Sequence, residues 1–141
     1  MKYRYLEDVA IADIAFEAYG EDINELFINC GLALTDCMVN MKQVKPNIKK
    51  TISLKSERIE DLLYDFLSVI IFIKDTDGLL FSKYDISIKE KKGFSLNADC
   101  FGDKIDYEKL ELRNDVKAVT MHMFEIKKEK NRYKATVVVD I

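Results

Sequence analysis

From Leu79 to Ile141 the chain strings strand-like segments together with no helical pattern between them. Parallel neighbours need a long crossover, usually a helix, so a run of this kind commits the sheet largely to antiparallel pairing. Leu79–Lys89 and Phe94–Phe101 read as strands joined by a Lys91-Lys92-Gly93 turn. Gly102–Asn114 is a polar, weakly patterned connection, and Asp115–Lys127 with Arg132–Ile141 reads as a hairpin around Glu129-Lys130-Asn131. A short strand at Lys2–Leu6 and a longer one at Val9–Tyr19 open the chain. The longer strand sets Ala10, Ala12, Ile14, Phe16 and Ala18 on one face, against Val9, Ile11, Asp13, Ala15 and Glu17 on the other.

Two helices complete the order. Gly20 breaks the first long strand, and Glu21-Asp22 opens a helix whose apolar residues recur at three- and four-residue steps from Ile23 to about Met41. Pro46 sits in a connection to a strand at Lys49–Leu54. A second helix opens at Ser56-Glu57-Arg58-Ile59-Glu60, where Ser and Glu resemble a capping box offset by one residue. It is apolar almost all round from Ile59 to Ile73, which predicts the more deeply buried helix of the two. The order ββαβαββββ gives an α+β layered fold, mostly antiparallel β-sheet packed with two main α-helices, as a single domain over residues 1–141.

With 48% apolar and 33% charged residues among 141, the chain has the material for one well-filled core. A net charge of −3 argues against nucleic acid as the main direct partner, since phosphate contacts usually call for a basic surface. Cys30, Cys37 and Cys100 show neither zinc-site nor disulfide-framework spacing. Free thiols of this kind fit a reducing interior. No apolar run is long enough to span a bilayer and Met1–Tyr5 has no signal core, so a cytoplasmic location is expected.

Two acids stand out because they interrupt apolar strand sequence near the two ends. Asp13 lies within Ala12-Asp13-Ile14, and Asp140 follows Val137-Val138-Val139 with only Ile141 beyond. A half-buried carboxylate is costly unless something pairs with it. If the two strands meet, both side chains and the chain terminus converge, and such a group needs a hard cation, a basic side chain or an uptake of protons. The bland alternative puts each acid on a wet strand face.

Other motifs carry less. Asp75-Thr76-Asp77-Gly78 resembles a calcium loop, but Ile73 and Tyr84 would then fall at its first and twelfth positions, so it reads as a helix-to-strand turn. His122, in a strand-like stretch, suits a hydrogen-bonded structural role better than a catalytic one. Lys117 either projects to solvent or meets an anion such as Asp13.

With these residues in place, the chain resembles the archease family over essentially its whole length. The family's His-Thr-Ala-Asp-(Ile/Val) strand, aromatic-Gly turn and acidic helix start correspond to Ala10 through Gly20, followed by Ile23-Asn24-Glu25-Leu26-Phe27. Leu62–Leu67, Asp75-Thr76-Asp77-Gly78-Leu79, Val116–His122 and the closing Val139-Asp140-Ile141 follow in order. The resemblance implies a non-enzymatic activator of the RtcB-type RNA ligase, which seals tRNA halves after intron removal. It implies promotion of ligase guanylylation and multiple turnover, and a broadened nucleotide use. It also implies a divalent metal, calcium in known structures, held through Asp13, Asp140 and Ile141, with Lys117 associated with activity. Contact with RNA is left open. One departure is that Ala10-Ile11 replaces the family's His-Thr, which weakens or removes that pair's contribution. Two rivals stand beside this reading: a small metal-dependent phosphoester hydrolase using the same acids with Lys117 or His122, and a chaperone-like interaction module.

Overall fold

Eight strands and two α-helices form two antiparallel sheets, in a computed structural model that describes residues 1–7 and 12–141. The strands are β1 (Tyr3–Leu6), β2 (Asp13–Gly20), β3 (Ile48–Ser56), β4 (Leu79–Glu90), β5 (Phe94–Lys104), β6 (Ala118–Val119), β7 (Glu125–Glu129) and β8 (Arg132–Asp140). The helices are α1 (Ile23–Met38) and α2 (Ile59–Asp77), with a 3-10 turn at Met41–Gln43. One sheet runs β1-β2-β8-β6, with β7 also on β8; the other runs β3-β5-β4. This is the α+β layered fold expected, although residues 8–11 of the predicted Val9–Tyr19 strand lie outside the described residues.

Helix α1 packs against both β2 and β4, one strand from each sheet. That position reverses the expected burial of the helices. In α1 eleven of sixteen residues are buried, including Cys30 and Cys37, whereas α2 buries seven of nineteen and leaves Phe72 64% exposed. Composition ranked α2 as the deeper helix, but a helix with a sheet on either side is covered whatever its sequence. Close approach to β4 is possible because position 31 has no side chain: a Cβ on Gly31 would stand 2.8 Å from the Tyr84 ring. The Thr35 and Tyr84 hydroxyls share a hydrogen bond of 3.1 Å across the same contact.

The helix ends follow local chemistry. Asp22 caps α1 by accepting the Glu25 N–H at 2.8 Å, and the Glu25 carboxylate accepts the Glu21 N–H in return. The expected offset capping box at Ser56 is absent: Arg58 is the N-cap of α2 and makes no side-chain cap. Asp75, Thr76 and Asp77 belong to the last turn of α2, and Gly78 closes it at φ +64°, so the stretch ends a helix as read.

Two strand predictions need correction. β5 continues through Gly102 to Lys104, past the predicted end at Phe101. The predicted strand Asp115–Lys127 is two short strands, β6 and β7, laid one after the other along the same edge of β8. Between them Thr120–Phe124 leaves the sheet.

Candidate carboxylate site at the end of the central strand

The core face of the first sheet carries Phe16 and Ala18 of β2 with Ala135, Val137 and Val139 of β8. Alternation therefore puts Asp13 and Asp140 on the opposite face. They are direct partners in the β2–β8 register. The Ile141 N–H donates to the Ala12 carbonyl at 2.9 Å, which makes Ala12/Ile141 a hydrogen-bonding pair. Asp13/Asp140 is then the intervening pair without hydrogen bonds, the kind whose Cα atoms stand about 4.5 Å apart with side chains closest. The same bond docks the terminus, so the main-chain carboxylate of Ile141 sits one residue beyond the two aspartates. All three residues are partly buried. On the same face the next pair is Ala15/Val138, 0% and 1% exposed, so one side of the acid pair is dry.

Like charges directly opposite each other destabilise a sheet. The ion pairs among the described residues lie elsewhere, and none includes Asp13 or Asp140. Further along this face Glu17 shows the contrasting solution. Burial alone would raise its pKa, but Arg4, Tyr19 and Lys134 surround it and hold it below the usual carboxylate range.

The other flank of Asp140 is β6, with Ala118 opposite it and the Lys117 N–H donating to the Asp140 carbonyl at 2.8 Å. The Lys117 side chain is exposed, and its charge helps hold the nearby Asp115 carboxyl low. Of the two placements open from sequence, solvent is the one adopted; Lys117 lies beside the acids through its backbone. His122 is exposed in the Thr120–Phe124 turn, not in a strand, and does not have the structural role expected of it.

Lys74 carries no signal in the sequence as a site residue, yet it holds this edge in place. Its ammonium, on a side chain only 9% exposed, reaches the Asp75 and Asp115 carboxylates at 2.7 and 2.8 Å and the Val116 carbonyl at 2.6 Å. Burial opposes the charge, but the two carboxylates outweigh it and raise the Lys74 pKa. The segment leading into Lys117 and β6 is thereby tied to the end of α2. A lysine in a helix's last turn is ordinary, so only the tertiary contact reveals it.

The donor set at the acid pair is all oxygen, as a hard cation prefers. Among the described residues, no three His, Cys, Asp or Glu side chains gather so as to hold a metal. A cation here would therefore depend on the terminal carboxylate, beside Asp13 and Asp140, for its third anionic ligand. The thiols offer no alternative chemistry, since burial pushes Cys30 up and takes Cys37 and Cys100 to about 12. A hollow of about 710 Å³ lined by Tyr19, Gly20, Glu129 and Arg132 lies at the far ends of β2 and β8 from the acids. No helix is long and apolar enough among the described residues to cross a membrane.

The whole arrangement recurs in known proteins. Residues 3–141 match the Archease protein family (MTH1598/TM1083). The archease of Methanothermobacter thermautotrophicus is 40% identical over 131 residues, covering 92% of this chain and 93% of that protein. The archease of Methanosarcina barkeri is 36% identical over 142 residues, covering 99% and 96%. The solution structure of Methanobacterium thermoautotrophicum protein 1598 superposes with a TM-score of 0.88 at 39% identity, covering 99% of both chains. The crystal structure of a Thermotoga maritima archease, described as a possible chaperone, shares the fold at a TM-score of 0.60 and 20% identity, covering 94% of this chain and 93% of that one. Matched from the third residue to the last in sequence, and over nearly the whole chain in structure, this chain belongs to the archease family.

Proposed function

We propose that this protein is a non-enzymatic activator of an RtcB-type RNA ligase, promoting guanylylation of the ligase and its multiple turnover in tRNA splicing, and broadening its nucleotide use. The observation that carries the reading is the side-by-side pairing of Asp13 and Asp140 with the Ile141 terminus docked beside them. Three carboxylates held on one rigid sheet end form a preorganised anionic centre. Asp13, Asp140 and the terminal carboxylate of Ile141 would hold a divalent cation, calcium or a similar hard ion. Such an ion neutralises phosphate charge during nucleotidyl transfer. The chain's own part is positional: the Ala12 carbonyl fixes the terminus and the Lys117 N–H fixes the Asp140 backbone. The exposed Lys117 ammonium is placed to meet a phosphate or carboxylate of the partner at the rim. The Ala10-Ile11 replacement of the family's His-Thr lies outside the described residues.

The test is ligase guanylylation and turnover under limiting GTP and controlled divalent metal, with and without this protein. Asp13→Ala should lose roughly 10- to 100-fold of the stimulation, as disruption of a metal's surroundings commonly does, with an unchanged far-ultraviolet spectrum. Stimulation equal to the parent's would refute the mechanism. Turnover of phosphoesters by the isolated protein would favour a hydrolase instead.

A further inference from the structure

The break between β6 and β7 is built, not loose. Thr120 donates to the Val138 carbonyl twice, from its N–H at 2.9 Å and its hydroxyl at 3.0 Å, and the same hydroxyl oxygen accepts the His122 N–H at 3.3 Å. The Phe124 N–H closes the turn on the Met121 carbonyl. Phe124 also stands edge-on to Tyr64 at 5.8 Å, and the Tyr64 hydroxyl donates to the Val119 carbonyl, so both ends of the turn are anchored to α2. Met123 is held at φ +53°, a region side chains other than glycine seldom enter. The result is that Met121 and Met123 stand 65% and 50% exposed.

Two large apolar side chains turned to water from a fixed support need a reason. Methionine, unbranched and polarisable, fits irregular apolar recesses well. The turn leaves β8 at Val138, two residues from Asp140, so methionines and carboxylates share one rim. We propose that Met121 and Met123 form a pre-shaped docking knob that seats in an apolar recess of a protein partner, next to that partner's cation-bearing centre. Charge complementarity selects this occupant. The rim presents three carboxylates that no basic side chain among the described residues pairs. Nucleic acid or an anionic lipid surface would set phosphates against them, and a second copy of this chain would set the same carboxylates against themselves. The inference rests on the ligase reading and adds to it the contact that holds the two proteins together.

Binding of the full chain to the RtcB-type ligase, followed by calorimetry, tests the knob beside the calcium-induced rise in melting temperature. The double variant Met121→Ser/Met123→Ser should bind roughly tenfold or more weakly, as loss of an interface anchor does, while keeping the calcium shift. Met121→Leu/Met123→Leu should restore binding, which a folding defect would not allow. If the serine variant binds as the parent does while Asp13→Asn abolishes stimulation, the knob is wrong and the ligase reading stands. If the parent does not bind the ligase at all, both fall. A parent dimer in sedimentation that the serine variant dissolves would make a second copy the occupant and overturn the proposal.

Discussion

Lys74 shows how one side chain can set the geometry of a distant rim. It is the only described contact that ties the Val116 carbonyl, just before Lys117, to α2. Its two carboxylate partners are exposed, so removing the ammonium strands no buried charge; the Val116 carbonyl is what loses its donor. Lys74→Met should therefore cost about 1–3 kcal/mol, the range for an orphaned buried acceptor, and not the larger loss of a broken buried ion pair. Urea unfolding measures it. The pH dependence follows from the shifts. The Lys74 pKa is raised, so its contribution is complete below the unfolded value of about 10.4 and is lost as pH climbs through the folded value. The Asp115 pKa is lowered by its bond to Lys74, so its contribution is complete above about 3.9 and is lost as pH falls through the folded value. The stability gap between parent and Lys74→Met should stay flat across neutral pH and close at both extremes.

At the scale of elements, Gly102 explains why β5 outruns its expected end. Glycine in strand sequence suggests a break, and the polar residues after it strengthen that impression. In the sheet it marks a close backbone approach instead. A Cβ at position 102 would stand 1.8 Å from the Leu80 carbonyl oxygen, beside the register shift of β4 between Phe81 and Lys83. Backbone cannot step aside as a side chain can. Gly102→Ala should thus destabilise the fold by about 2–3 kcal/mol or more, near the top of the overpacking range, whereas Ala at the open position Asn97 should change stability by less than about 0.5 kcal/mol. Thermal melts of the two variants compare them directly.

For the molecule as a whole, the acid pair joins its first long strand to its last residue. Whatever neutralises these carboxylates in the native state stabilises the entire fold, because the unfolded chain does not bring them together. Calcium at 100 times its dissociation constant should add about 2.7 kcal/mol, read as a rise in melting temperature. Asp140→Asn should remove most of that rise. Extending the chain beyond Ile141 should do the same, because it converts the terminal carboxylate into a peptide; an undiminished rise in the extended protein would mean that the terminus is not a ligand.

Element order, the two amphipathic helices, the Gly78 helix stop and the hairpin at Glu129-Lys130-Asn131 were legible in the sequence, because each rests on local periodicity or turn chemistry. Asp13 and Asp140 were likewise conspicuous as charges inside apolar strands. Tertiary structure alone decided that they are direct partners, since register depends on how whole strands settle against a core. It alone placed α1 between the sheets, where burial comes from neighbours and not from composition. It alone broke the third edge of β8 at Thr120, where hydrogen bonds to Val138 and the anchoring of Phe124 on Tyr64 prevail over a sequence that alternates like an unbroken strand.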